Sequence, residues 1–204
     1  EKISLVKSRS KINKEYMRKL KLLKTYYNNK IKELETIVSL FKKTTLKKGD
    51  YFLKSGKISN QLSFIQSGLL RIFVSTEEKE ITQWISTQGY FVTDLSSFIF
   101  QSPARWNIQA LSDADLYTIS KEDYNKIGKL IPAWHELEKL FIARCFTILE
   151  DRIFSHLSMT AEERYNFFFQ HNKELFNQVP LQYIASMLGM TPETFSRIRK
   201  KSIS

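Results

Sequence analysis

The densest grouping of side chains suited to reading a polyanion lies near the C-terminus, in Leu181-Gln-Tyr-Ile-Ala-Ser-Met-Leu-Gly-Met-Thr-Pro-Glu-Thr-Phe-Ser-Arg-Ile-Arg-Lys200. The spacing fits two short helices joined by a sharp turn. Pro180 can open the first helix, whose inner face is Ile184, Ala185 and Leu188, and the small Ala185 lets a second helix come close. Gly189 suits the turn, where a Cβ would clash. Thr191 is a good N-cap and Pro192 a good first helical residue, so the second helix starts cleanly. Phe195 and Ile198, three apart, anchor it. Glu193, Thr194, Ser196, Arg197 and Lys200 are then left pointing outward, flanked by Arg199 and Lys201. Arginine can donate two hydrogen bonds to guanine, glutamate accepts from cytosine N4, and lysines at a helix end neutralise phosphates. An ordinary helical hairpin with a solvated face is the alternative; the co-occurrence of cap, glycine turn, small alanine and basic face favours groove reading.

A second grouping sits mid-chain. Ile81 to Ala104 is 24 residues long with one charge, Asp94, and Arg105 follows immediately. An apolar stretch holding one carboxylate and then one guanidinium is a candidate small-molecule pocket, with Thr93, Asp94 and Arg105 as its polar groups. A simple Asp94–Arg105 pair pinning a loop is an equal alternative.

These groups need elements to hold them. Leu34, Ile37, Val38, Leu40 and Phe41 recur at helical spacing over 32–41. From Leu46 to Ser120 the chain breaks into short alternating or β-branched runs, including 62–65, 69–74 and 81–85, punctuated by Gly49, Gly56, Gly68 and Gly89; this predicts a compact β-sandwich or barrel-like roll. After Ser120 the period lengthens to that of a helix carrying Tyr124, Ile127 and Leu130, which Pro132 ends. Residues 133–157 contain no glycine or proline, and their apolar positions cover more than one face. Such a helix needs two packing partners: its own β-roll and, most simply, the same helix of a second subunit through Leu137, Phe141 and Ile148; a helix sandwiched within one monomer is the alternative. A charge at Phe141 or Ile148 is expected to give monomers. Thr160-Ala-Glu-Glu163 reads as a capping box opening a further helix through Phe169.

The composition is that of an ordered protein, with 42% hydrophobic and 13% aromatic residues among 204. No apolar run is long enough for a membrane helix, and basic residues interrupt the first 24 positions, so neither a membrane span nor a signal peptide is expected and the cytoplasm is the expected compartment. One cysteine, Cys145, rules out an internal disulfide and any multi-cysteine metal site. The net charge of +11 lies wholly in residues 1–48, which carry fifteen Lys and Arg against four Glu, while residues 49–204 balance. That basic N-terminal arm, placed at 1–28, reads as a solvated segment.

The whole chain resembles the Crp/Fnr family of bacterial transcription regulators over roughly 32–201. The markers are Thr45-Leu-Lys-Lys-Gly-Asp50, Phe64-Ile-Gln-Ser-Gly-Leu-Leu-Arg71, Gly89-Tyr-Phe-Val-Thr-Asp94, Ala161-Glu-Glu-Arg-Tyr165 and the C-terminal helix pair. The resemblance implies an α+β fold: an N-terminal β-roll (double-stranded β-helix) of the cyclic-nucleotide-binding type over 29–131, a dimerisation helix over 132–157, and a helix-turn-helix domain over 158–204. It also implies a homodimer on a pseudo-palindromic double-stranded DNA site, with RNA polymerase as a candidate partner. Glu193, Ser196 and Arg197 match the Glu-x-x-Ser-Arg pattern with which Fnr-like members read bases, implying a TTGA-like or TGA-like half-site core. Thr93-Asp94 stands where cyclic AMP-binding members have Gly-Glu, Arg105 is displaced, and Trp106 crowds the phosphate position. The expected effector is therefore an unidentified small molecule other than cyclic AMP. The single cysteine excludes the Fnr iron–sulfur cluster, and no cofactor or metal is expected.

Two other functions compete with this one. A cupin-like metal enzyme would need histidines inside the roll, but His135, His156 and His171 all follow the β region. An interaction module whose helix-turn-helix no longer reads DNA is the other alternative.

Overall fold

The computed structural model describes residues 34–203, so the basic arm at 1–28 lies outside the described residues. The element order is α1 (Leu34–Leu40), β1 (Lys42–Leu46), β2 (Tyr51–Leu53), β3 (Gln61–Ser67), β4 (Leu70–Ser75), β5 (Glu80–Ser86), β6 (Phe91–Val92), α2 (Leu95–Phe100), β7 (Asn107–Ala110) and β8 (Ala114–Ser120). Helices complete the chain: α3 (Lys121–Leu130), α4 (Trp134–Ser158), α5 (Ala161–His171), α6 (Leu175–Gln178), α7 (Leu181–Met187) and α8 (Pro192–Ile203). The fold is α+β, an antiparallel β-roll followed by helices.

The roll consists of two four-stranded sheets, ordered β1-β8-β3-β6 and β2-β7-β4-β5. Ile65, Leu70, Val92, Ile108 and Leu116 fill the space between them. The opposite face of the first sheet is also covered, because Ile37, Val38, Tyr124, Ile127, Trp134 and Phe141 from α1, α3 and α4 pack on Phe64 and Ile119. Double coverage explains why Leu62-Ser-Phe-Ile65 is buried at every position. Three hydroxyls of that sheet satisfy each other: that of Thr118 lies 2.6 Å from that of Thr44 and 2.7 Å from that of Ser63. Gly68 turns β3 into β4 with φ +93°, and a Cβ there would come within 2.5 Å of the Asp113 carbonyl oxygen. Backbone closeness as well as conformation therefore requires glycine at this turn.

The capping box at Thr160 forms, with the Glu163 backbone N–H donating to Thr160 Oγ1 and the Thr160 backbone N–H donating to Glu163 Oε2. The short helices α2 and α6, of six and four residues, have no counterpart in the sequence reading. They are too short to show a period. A third core joins Tyr165, Phe176, Ile184, Phe195 and Ile198 of the C-terminal helices to Leu69 and Ile85 of the roll, so roll and helices share apolar contacts across the boundary placed at 158.

Leu137 and Phe141 stand differently from their expected dimer role. Both are buried in their own chain, with Phe141 edge-on to Phe91 at 4.9 Å. Ile148 is exposed, within a row of exposed apolar residues on α4 that includes Ile142, Phe146, Leu149, Ile153, Phe154 and Leu157. Among the described residues, no helix is long and apolar enough to cross a membrane.

Candidate functional site

The C-terminal pair of helices is built as its residue types require. Past Met187 the chain enters the left-handed region at Gly189, φ +69°. The Met190 N–H donates to the Ala185 carbonyl oxygen at 2.9 Å and the Gly189 N–H to that of Ser186 at 3.0 Å, the paired bonds of a Schellman ending. Two residues later Thr191 caps α8, its Oγ1 accepting from the Thr194 backbone N–H at 3.2 Å. Ile184 and Ala185 of α7 and Phe195 and Ile198 of α8 are buried, and Phe195 meets Tyr165 edge-on at 5.2 Å.

The set expected from sequence divides by exposure and by engagement within the chain. Glu193, Ser196, Arg197 and Lys200 are exposed and, at spacings of three and four, form one stripe along α8. Thr191 and Thr194 serve the cap. Arg199 is half-buried near Tyr165, and Lys201 bridges both carboxylate oxygens of Glu162 at 3.0 Å, which ties it to α5. The Glu193 carboxyl is held below its usual range by its own backbone N–H and by the Thr191 side chain, so it is ionised at neutral pH.

Two arginines hold this pair against the rest of the chain. Arg164 donates Nε to the Leu188 carbonyl oxygen at 3.0 Å and Nη1 to that of Met159 at 2.6 Å, joining the turn to the end of α4. Arg71, on β4, has a side chain only 2% exposed; it donates to Thr82 at 2.9 Å and Glu80 at 2.6 Å, and its guanidinium lies 3.6 Å over the Tyr183 ring of α7. The Thr82 N–H also donates to Ser186 Oγ at 2.9 Å.

The mid-chain grouping resolves otherwise. Asp94 is 4% exposed and N-caps α2: Oδ1 accepts from the Ser97 N–H at 3.0 Å, and Oδ2 from the backbone N–H groups of Arg105 at 2.9 Å and Trp106 at 3.4 Å. The pinned-loop alternative describes it, with the Arg105 backbone as partner in place of the guanidinium. That guanidinium instead lies 5.0 Å over the Trp106 ring. Thr93 and Asp94 line a cleft of about 330 Å³ between β5, β6, Trp106 and α4; Arg105 does not line it.

The α4 wall of the cleft carries Cys145, Ile148, Leu149 and Arg152, a row at helical spacing of which sequence reasoning did not single out Arg152. Burial pushes the Cys145 thiol up to about 11, so it is a packing group and no nucleophile at neutral pH. Arg152 lies 5.0 Å over the Trp84 ring and reaches the Met187 carbonyl oxygen at 3.4 Å. No group of three or more metal-ligating side chains occurs among the described residues.

Residues 43–129 match the family described as the cyclic nucleotide-binding domain. The roll has the cyclic nucleotide-binding fold. No curated protein matches the chain in sequence. Among solved structures, FixK2 from Bradyrhizobium japonicum is 14% identical with a TM-score of 0.65, covering 79% of this chain and 83% of its own. The c-di-GMP responsive global regulator CLP of Xanthomonas campestris is 15% identical with a TM-score of 0.60, covering 82% of this chain and 89% of its own. The cAMP-bound fragment PfPKA-R (141-441) is 21% identical with a TM-score of 0.52; it matches 56% of this chain, which spans only 42% of that fragment. At these identities the likeness is one of fold. It reaches beyond the cyclic nucleotide-binding domain into the helices in the first two and, by its coverage, little beyond it in the third.

Proposed function

We propose that the chain is a homodimeric, sequence-specific DNA-binding transcription regulator of the Crp/Fnr type, acting in the cytoplasm and answering to a small molecule other than cyclic AMP. The observation that carries the reading is the exposed stripe Glu193, Ser196, Arg197 and Lys200 on a capped helix whose opposite face is locked by Phe195 and Ile198. A helix so presented can enter a major groove with its first two turns toward the bases. CLP, described as linking cell-cell signaling to gene expression, supports the class by its shared architecture.

The dimer part rests on α4. Ile142, Phe146, Leu149 and Ile153 recur at spacings of four, three and four, which is the seam of two packed helices, and all are exposed. The interface is therefore proposed further along α4 than Leu137 and Phe141. Against cyclic AMP stands Asp94, whose oxygens are already engaged by three backbone N–H groups, and Trp106 at the cleft wall. RNA polymerase is the natural partner of such a regulator, and the reading assigns the chain no catalysis.

Selection of bound duplexes from a random pool, followed by binding titrations at several salt concentrations, tests the proposal. A recovered palindrome with TGA-like half-sites is expected, with affinity falling steeply as salt rises. Recovery of no consensus would leave the second reading, an interaction module.

A further inference from the structure

The cleft beside α4 is mostly apolar; Gln83, Ser86, Thr93, Asp94 and Ser96 also line it, and Arg152 is its one cation. Trp84, Tyr90, Trp106 and Leu149 supply ring faces and hydrocarbon, and Arg152 closes the side toward the C-terminal helices. Among the described residues the Arg152 guanidinium has no ion-pair partner within 4.0 Å; it lies over the Trp84 ring and makes one long bond to the Met187 carbonyl oxygen. Asp94, the acidic group of the same cleft, is spent on backbone donors. Burial holds the Arg152 guanidinium below its ordinary range, though it remains charged at neutral pH. A half-buried guanidinium facing aromatic walls is complementary to one kind of occupant, a flat apolar body bearing a single anionic group.

We propose that this cleft binds an aromatic monocarboxylate, with Arg152 as the anion receptor and the Trp84, Tyr90 and Trp106 rings holding the body. The inference deepens the effector part of the regulator reading and rests on it. It also supplies a route from ligand to DNA. Met187 is the last residue of α7, and a carboxylate accepts from a guanidinium far better than a carbonyl at 3.4 Å does. Ligand binding therefore draws Arg152 away from α7 and alters how the helix pair is held. By linkage, DNA must change the affinity for the acid by the same factor.

The test uses the full chain and isothermal titration with indole-3-acetate and phenylacetate, each beside its uncharged amide. At least one acid should bind more tightly than its amide by about tenfold or more, the worth of a charge-assisted pair. Arg152→Met should remove that preference while leaving amide binding in place, and Arg152→Lys should restore part of it. Thermal midpoints without ligand confirm that each variant is folded. Equal binding of acid and amide, an unchanged preference in Arg152→Met, or no binding of either acid at millimolar concentration overturns the proposal. So does cyclic AMP binding more tightly than both acids. Because the titration contains no DNA, its failure is separate from failure of the duplex selection. Where both succeed, the acid should shift affinity for the selected duplex in the unmodified protein and leave it unmoved in Arg152→Met.

Discussion

Arg197 and Lys200 lie on the same stripe of α8, and under the proposed DNA-binding function their chemistry separates their work. Arg197 is in the second turn, where a planar fork can meet a base edge, whereas Lys200 lies one turn further toward the end, where a point charge meets phosphate. Arg197→Ala should cost about 1–3 kcal/mol per half-site on the selected duplex and relax the preference at one G·C pair. Lys200→Ala should weaken all duplexes alike and reduce the salt slope by about one counterion. Titrations on selected and scrambled DNA separate the two; an equal loss on both duplexes for Arg197→Ala would remove the base-reading role. For Lys201, DNA must compete with the Glu162 carboxylate that holds it.

Asp94 makes a different prediction at the same scale. Three backbone N–H groups depend on its carboxylate, so Asp94→Ala leaves buried donors unpaired and is expected to cost about 2–3 kcal/mol. The urea midpoint reads this directly. Had Asp94 been a ligand-binding group alone, stability would hardly change.

At the scale of the element, α4 divides its length between two environments. Its first two turns bury Trp134, Leu137 and Phe141 against the roll, while beyond Cys145 it leaves Phe146 59%, Phe154 68% and Leu157 82% exposed. Burying a side chain of that size is worth about 1.5–3 kcal/mol, and a seam of several on each helix is ample for a stable dimer. The unmodified protein should sediment as a dimer at micromolar concentration, and Phe146→Glu should sediment as a folded monomer. Phe141→Glu is the contrasting variant: its charge would enter the intrachain core beside Phe91, so loss of the fold is expected in place of clean dissociation. A monomeric unmodified protein would remove the dimer from the reading.

At the scale of the molecule, Arg71 fastens the C-terminal pair of helices to the roll. Its guanidinium lies between the Phe73 ring at 4.2 Å and the Tyr183 ring at 3.6 Å, while Glu80 neutralises it. Arg71→Met should lower stability by about 3 kcal/mol, the lower part of the range for breaking a buried pair, because Glu80 stays half in water. Tyr183→Leu should cost less and loosen chiefly the docking of α7, seen as faster amide exchange at Ser186 and Met187. If both variants denature and exchange like the unmodified protein, the clamp has no energetic role.

Sequence alone was sufficient wherever the controlling physics is local. The Thr160 capping box, the Gly189 turn, the Thr191 cap and the buried pair Phe195 and Ile198 depend on residues within a few positions of each other, and residue type with spacing decides them. The breaks at Gly68 and Pro132, and the long apolar α4, are local in the same sense. Tertiary structure decided what depends on partners distant in the chain. Asp94 became a cap because α2 starts beside it and the loop at Arg105 folds back over it. Leu137 and Phe141 became core because the first sheet presents Phe64 and Phe91 to them. Arg71 and Arg152 read as ordinary charges in sequence. Their weight comes from Tyr183, Trp84 and Met187, which lie between 35 and 112 positions away and meet them only when the C-terminal helices dock on the roll. Burial and charge pairing are properties of that docking, and no period in the chain encodes them.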